Sequence, residues 1–208
     1  MAPSGPHELP KLFLVRHGDT EWTDTRRHTG RTDVPLNGRG EERARQLGVV
    51  LRRETFARVF TSPLARARRT CELAGFGNRA EVEPALVEWD YGDYEGRTTA
   101  DIQRGRPGWS LFRDGVPRGE TLEQVAARAG AFLDRVRGAD GNVLAFSSGH
   151  TIRVIAAAWL GLPPERARLF FTSTASINVL GYEHDRSEPV VRLWNSVPTG
   201  VSTPAIGP

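Results

Sequence analysis

Two short apolar runs, far apart in the chain, each lead into a histidine. Segment 12–18 contains His17, and segment 143–150 ends at His150. Each run is too short for a helix and is followed at once by glycine and polar residues, which predicts a buried strand. In open α/β sheets, ligands bind beyond the carboxyl ends of the strands, where both histidines are expected. Arg16, beside His17, indicates an anionic ligand, and a phosphate fits best.

Length and composition indicate a single globular domain. The chain has 208 residues, of which 38% are hydrophobic and 25% charged, as in ordinary globular proteins. No apolar run approaches the roughly 20 residues that span a bilayer. Residues 1–10 lack the features of a secretion signal. One cysteine, Cys71, excludes an internal disulfide, so we expect a cytoplasmic protein without a membrane partner.

The charge pattern argues against nucleic-acid binding. The net charge is only +3, although Lys and Arg together number 28. Basic and acidic residues alternate, as in segment 39–43, and no basic stripe with interleaved aromatic residues occurs. We therefore expect no nucleic-acid partner.

Strands and helices alternate along the chain. This alternation predicts a three-layer α/β/α sandwich around a mainly parallel mixed sheet, with a late hairpin as its antiparallel edge. A single domain is expected over 11–196, between mobile tails at 1–10 and 197–208. The second run is predicted as a strand over 142–147. Further strands are predicted at 58–61, 80–86, 176–182 and 190–194, and helices at 41–53, 62–74, 120–137 and 150–160.

Local signals support individual elements. Ser62 and Pro63 are typical of an N-cap and a first helical residue. The helix at 120–137 has an apolar stripe. The stripe consists of Leu122, Val125, Ala129, Phe132, Leu133 and Val136.

The stretch 88–119 is polar and aromatic with room only for short helices, which indicates a lid over the site.

Five blocks, in order, resemble the motifs of the histidine phosphatase superfamily, also called the phosphoglycerate-mutase-like family. The first is Arg16-His17-Gly18 with the residues that follow; the others are 29–40, 61–67, 88–96 and 148–150. The tripeptide alone would be a chance match, whereas five ordered blocks are specific. The resemblance implies a phosphoglycerate-mutase-like fold.

The resemblance also implies roles for individual residues. His17 would be the nucleophile that forms a phosphohistidine, and a neutral imidazole suits this role. Arg16 and Arg66 would hold phosphoryl oxygens with their planar forks. His150 would add a donor together with N–H groups of its helix's first turn. Glu88 would be the general acid. Further substrate contacts are expected from Thr23, Thr29, Gly30, Gly149 and Thr151.

Some assignments stay open at this stage. Three other acids, Asp90, Asp93 and Glu95, lie near Glu88 in the sequence. Thr23 stands where many family members have a phosphate-binding asparagine, and its hydroxyl offers one contact fewer. The aromatic residues of the lid could face substrate or pack within the lid; they are Trp89, Tyr91 and Tyr94. His28 could touch substrate, whereas His7 and His184 are expected to be inert and Cys71 to be a core residue.

The sequence favours a phosphomonoesterase that acts on a small phosphorylated metabolite without a metal or other cofactor. Segments 21–23 and 28–30 look closer to sugar phosphatases, such as sedoheptulose-bisphosphatase-like enzymes, than to mutases. The alternatives are a cofactor-dependent phosphoglycerate mutase, a phosphoprotein phosphatase and a non-catalytic phosphate-binding module. The late hairpin could pair in a homodimer. Loop arginines could reach a second anionic group: Arg26, Arg27, Arg31, Arg97, Arg113 and Arg118.

Overall fold

A six-stranded sheet forms the centre of the protein. The computed structural model describes residues 9–198. The strands are β1 (Leu12–Arg16), β2 (Arg58–Thr61), β3 (Ala80–Val82), β4 (Val143–Ser147), β5 (Ile177–Tyr182) and β6 (Pro189–Ser196). Their order across the sheet is β3-β2-β4-β1-β5-β6.

The sheet is mainly parallel with an antiparallel edge, as predicted. Strand β1 pairs in parallel with β4, β4 with β2, and β2 with β3. Strand β5 runs antiparallel to β1, and β6 returns antiparallel to β5. Because β1 and β4 are parallel neighbours, their carboxyl ends meet at the same edge of the sheet, where His17 follows β1.

Helices cover both faces of the sheet, which gives the three predicted layers. Alternate side chains of a strand point to opposite faces. The helices are α1 (Glu21–Asp24), α2 (Gly38–Leu51), α3 (Ala65–Leu73), α4 (Thr99–Gly105), α5 (Leu111–Asp114), α6 (Leu122–Val136) and α7 (Gly149–Trp159). Leu12 and Leu14 belong to a core cluster with α6 and α7, whereas Phe13 and Val15 belong to a second cluster with α2 and α3.

Several element boundaries differ from the predictions: helix α2, for example, begins at Gly38 rather than at Glu41. Two of the differences have a clear physical reason. Helix α3 begins at Ala65 rather than at Ser62, and Ser62 does not cap it. The Ala65 N–H instead donates to Asp33 Oδ1 at 2.7 Å, so a loop 32 residues away caps the helix. Strand β3 ends at Val82 because the chain turns into a 3₁₀ helix at Pro84–Leu86, where Pro84 has no N–H to donate to a neighbouring strand.

The predicted lid segment, 88–119, packs into the core. It carries α4, α5 and a 3₁₀ helix at Gly92–Tyr94. Trp89, Ile102, Trp109 and Phe112 are each at most 6% exposed and belong to the cluster around α6 and α7. The segment is therefore anchored by large apolar side chains and forms part of the domain itself.

Other expectations concern the surface and the ends of the chain. Within residues 9–198, no helix is long and apolar enough to cross a membrane. Cys71 is buried, as predicted, and burial raises the pKa of its thiol to about 12. The predicted tails lie largely outside the described residues. The single domain, the homodimer and the cytoplasmic location stay predictions.

Two helical glycines allow a test of helix packing. A Cβ atom at Gly48, in α2, would lie 2.6 Å from Ala74 O, whereas one at Gly130, in α6, would meet nothing within 4 Å. Gly48→Ala is expected to lower the free energy of unfolding by about 1–3 kcal/mol because the backbones must separate. Gly130→Ala should raise it by about 0.5–1 kcal/mol, since alanine is the better helix former. Urea denaturation of both variants measures this; changes of the same sign would contradict the close packing of α2.

Candidate active site

His17 directly follows β1 and is 3% exposed. Its backbone N–H donates to Ser147 O at 3.0 Å, which fixes it against the end of β4. The ring Nδ1 lies 2.8 Å from Gly18 O, and Arg66 Nε donates to Nε2 at 3.3 Å. A carbonyl only accepts and a guanidinium only donates, so these contacts assign the proton to Nδ1 and the lone pair to Nε2.

The charge state of His17 suits a nucleophile. Burial lowers its pKa well below the usual 6.5, and the positive charges of Arg66 and Arg16 lower it further. The ring is therefore neutral at pH 7, and the Nε2 lone pair is not blocked by a proton.

The guanidinium of Arg66 is fully buried in the loop before α2. Nη2 donates to Thr29 O at 3.0 Å and to Gly30 O at 2.8 Å, and Nη1 donates to Thr32 O at 2.9 Å. With the bond to His17, four of its five N–H groups point at protein atoms. Arg66 thus fixes the nucleophile and loop 29–32, and its predicted contact with phosphoryl oxygens stays a prediction.

Arg16 ends β1 beside His17. Its Nη1 donates to Thr172 O at 2.6 Å, whereas its buried Nε has no hydrogen-bond partner among the described residues. Burial lowers the pKa of Arg16, although the charges of Glu88 and Asp19 oppose this. Arginine keeps its charge at neutral pH. The unpaired N–H is therefore a cationic donor without a protein acceptor.

Glu88 is 4% exposed and sits against the first turn of α7. Its Oε1 accepts from Trp89 N at 3.0 Å and from Thr151 N at 3.0 Å, and its Oε2 accepts from His150 N at 3.1 Å. The N–H groups of His150 and Thr151, predicted to face phosphate, thus bind this carboxylate. Oε1 thus accepts two backbone hydrogen bonds, whereas Oε2 accepts one.

The three rival acids have other contacts. Asp90 accepts from Gly92 N, and Asp93 pairs with the exposed Arg118. Glu95 accepts from Gly30 N at 2.8 Å and fixes the same loop as Arg66. Of the four acids considered, Glu88 is the one that also reaches the helix bearing His150.

His150 is the second residue of α7, three positions beyond the end of β4, and so lies at the start of this helix as predicted. Its Nδ1 lies 2.5 Å from Tyr91 Oη and 3.9 Å from Glu88 Oε2. Burial lowers the pKa of His150 well below 6.5, as do nearby charges of Arg153, His28 and Arg16. Burial likewise raises the pKa of Tyr91 well above 10. Two neutral groups share this hydrogen bond.

A model of the histidine phosphatase superfamily, branch 1, matches residues 12–197. The chain belongs to this superfamily. An acid phosphatase of Mycobacterium tuberculosis is 38% identical over 180 residues, covering 84% of this chain and 87% of the relative. A sedoheptulose 1,7-bisphosphatase of Saccharomyces cerevisiae is 34% identical, covering 90% and 80%. The solved structure of an open reading frame product of Mycobacterium tuberculosis superposes with a TM-score of 0.85 at 34% identity, covering 91% and 98%.

In this superfamily member, several residues predicted to contact substrate make contacts within the protein instead. The Thr23 hydroxyl accepts from Thr20 N and donates to Thr20 O, both at 2.9 Å, so its one proton is used in capping α1. Thr29 and Gly30 give their carbonyls to Arg66. A Cβ atom at Gly149 would lie 3.2 Å from Arg16 Cζ, so glycine allows the helix to approach that guanidinium.

Four ring side chains, called the aromatic wall below, form a group next to His150: His28, Tyr91, Trp109 and Phe112. His28 lies 4.9 Å from Tyr91, 5.6 Å from Trp109 and 6.2 Å from His150, between ring centroids. Phe112 lies 5.5 Å from His150. Of the three lid aromatics with open roles, Tyr91 reaches the site, whereas Trp89 and Tyr94 pack in the core.

Sequence reasoning missed Arg153. It follows His150 by three residues on α7, a spacing that places two side chains on one helix face and could have identified it. Its Cζ lies 4.6 Å from the Phe112 ring centre, and its Nε donates to Ala167 O at 3.1 Å. Burial lowers its pKa to about 10. It therefore brings a positive charge to the aromatic wall.

Most loop arginines proposed for a second anion have local partners. Arg31 pairs with Asp90, Arg113 with Asp114 and Arg118 with Asp93. Arg27 lies over the Trp22 ring, and Arg97 lies over Tyr94 and donates to Asp101 O. Among residues 9–198, no group of three or more His, Cys, Asp or Glu side chains is placed to hold a metal ion.

The tautomer and charge of His17 can be measured directly. In imidazole ¹⁵N–¹H correlation spectra recorded as pH falls from 7.5 to 6.5, we expect the His17 signals to stay those of a neutral ring with the proton on Nδ1. The burial and arginine charges that lower its pKa below 6.5 are the reason. The His17→Ala spectrum assigns the signals, and exposed His184 is the internal reference. A His17 midpoint at 6.5 or above would contradict this environment.

Proposed function

We propose that the chain is a metal-independent phosphomonoesterase that hydrolyses a small phosphorylated metabolite through a phosphohistidine on His17. The superfamily model and the relatives named as phosphatases support a phosphatase that acts on a phosphorylated substrate. The observation that carries the finer proposal is the buried, neutral His17, whose Nε2 accepts from Arg66 and whose pKa the charges of Arg66 and Arg16 help to lower.

The residues present support two chemical steps. His17 Nε2 forms a bond to phosphorus as the ester P–O bond breaks, and the leaving oxygen takes a proton from Glu88 Oε2. In the second step, water attacks the phosphohistidine, Glu88 accepts a proton from this water, and the N–P bond breaks to release inorganic phosphate. Arg16 offsets the charge on the phosphoryl oxygens in both steps.

Two observations support a small metabolite as substrate. The lid segment closes one side of the site with buried aromatic side chains, which leaves less space for a folded phosphoprotein. The two relatives reported above are an acid phosphatase and a sedoheptulose 1,7-bisphosphatase. A sugar phosphate is therefore the first substrate class to test, with Arg153 available for a second anionic group.

A panel assay tests this function. Sugar phosphates, phosphoglycerates and phosphopeptides are incubated with the enzyme and excess EDTA, and released phosphate is measured. We expect undiminished phosphate release from at least one sugar phosphate. Loss of activity in EDTA would overturn metal independence. Isomerised phosphoglycerate without phosphate release would indicate a mutase, and preference for phosphopeptides would indicate a phosphoprotein phosphatase.

A further inference from the structure

One buried hydroxyl beside the nucleophile has no role in the mechanism above. Ser148 is 0% exposed, and its Oγ has no hydrogen-bond partner among the described residues. It occupies the N-cap position of α7, where serine normally accepts a bond from the helix, yet it makes no such bond. Glu88 binds the first-turn N–H groups instead. A buried unpaired hydroxyl is costly, and such groups are uncommon in native proteins.

Strand register places Ser148 next to His17. Arg16 pairs with Ser147 across the parallel strands β1 and β4, and His17 N donates to Ser147 O. The next residues in register are His17 and Ser148, and the Ser148 backbone is still extended, with φ −120° and ψ 167°. Adjacent strands lie about 4.8 Å apart, and residues in register share a face of the sheet. Ser148 is thus the β4-end residue beside the nucleophile.

The other unpaired buried polar atoms of the described residues belong to Arg16 and to its hydrogen-bond partner Thr172. They are Arg16 Nε and Thr172 Oγ1. Thr172 accepts from Arg16 Nη1 through its carbonyl, and Gly149, the residue after Ser148, approaches the Arg16 guanidinium. Arg16 Nε and the two hydroxyls can all donate hydrogen bonds. An anion bound at Arg16 would supply acceptors for such donors.

We propose that the Ser148 hydroxyl donates a hydrogen bond to a non-bridging oxygen of the phosphoryl group as it moves to His17 Nε2. This inference rests on the proposed function, because it assigns a further catalytic residue to the same transfer. Arg16 Nε donates to the same group, and the bound phosphoryl oxygens satisfy both donors. The site thereby holds a preorganised donor aimed at charge that builds in the transition state.

Ser148→Ala tests the inference. We expect kcat/KM to fall about 10²-fold, the scale for loss of one preorganised donor to a transition-state oxyanion. The inhibition constant of orthovanadate, which mimics the five-coordinate phosphorus, should rise by a similar factor. The Tm should stay equal or increase, since an unpaired buried hydroxyl is removed. A merely structural hydroxyl would not change vanadate inhibition.

Ser176→Ala is the matched control. Ser176 is also fully buried, and its Oγ accepts one bond, at 3.4 Å, from Asn178. This variant should keep kcat/KM and vanadate inhibition within twofold of the wild type. The same result for Ser148→Ala would overturn the inference. His17→Ala separates the two proposals: an active His17 variant refutes the phosphohistidine route itself, whereas an inactive one beside a fully active Ser148→Ala refutes only the role of Ser148.

Discussion

Replacing His17 with alanine is expected to reduce kcat by about 10⁶-fold, the scale of loss seen when a covalent nucleophile is removed. The reason is geometric as well as chemical. Nε2 carries the lone pair of the ring and accepts from Arg66 Nε, and burial with the charges of Arg66 and Arg16 keeps the ring neutral. Initial rates of phosphate release from the best substrate of the panel measure the effect.

The fold of the variant and the covalent step need separate controls. His184→Ala removes an imidazole that is 78% exposed in the turn between β5 and β6, and it should retain full activity. Wild-type enzyme quenched during turnover of a ³²P-labelled substrate should carry acid-labile label, which His17→Ala should lack. Equal labelling of both proteins, or substantial turnover by the variant, would refute nucleophilic attack by His17.

The sequence predicted the sheet and its helices because their signals are local. The apolar run at the end of which Arg16 lies is a strand in the structure, and the stripe from Leu122 to Val136 is buried as predicted. The predicted start of α3 was wrong because the residue that caps this helix, Asp33, lies in a loop distant in the sequence. Propensity at Ser62 could not reveal that contact, since it depends on how the loop folds back.

The candidate site was predictable where one residue carries its own signal. Histidine after a strand, as at His17, is such a case. Glu88 caps α7 across 62 residues of sequence, a contact that only the folded chain defines. The sequence analysis followed the second apolar run to His150 and passed over Ser148. Ser148 directly follows Ser147, the last residue of β4. A serine gives no distinctive signal there, and only its unpaired, buried hydroxyl shows that it matters.

A buried ion pair supports the loop that follows the nucleophile. Arg43, in α2, donates to Asp19 Oδ2 at 2.9 Å, and both side chains are 5% exposed. Arg43 also donates to Thr174 Oγ1 at 3.1 Å, and the Thr174 hydroxyl donates to Asp19 Oδ1 at 2.8 Å. Because Asp19 lies two residues after His17, this cluster joins the nucleophile loop to α2 and to the segment before β5.

Arg43→Ala is therefore expected to lower the free energy of unfolding by about 3–5 kcal/mol, the scale for breaking a buried pair. The variant leaves Asp19 buried with the half-exposed Arg39 as its charged partner. Urea denaturation at pH 7 measures the change. Arg45→Ala is the matched control on the same helix, since Arg45 is half-exposed and pairs only with surface glutamates. Its effect should be much smaller, and equal effects would contradict the role of burial.

The pH dependence identifies the charge as the cause. Burial alone raises the pKa of Asp19, but the Thr174 hydrogen bond and the charges of Arg43 and Arg39 outweigh it and hold the pKa below 3.8. A carboxylate with a depressed folded-state pKa contributes stability that is present above the unfolded-state pKa and lost as pH falls through the folded-state value. The stability difference between wild type and Arg43→Ala should therefore shrink as pH falls below 3.8. A constant difference would mean that Arg43 acts through packing alone.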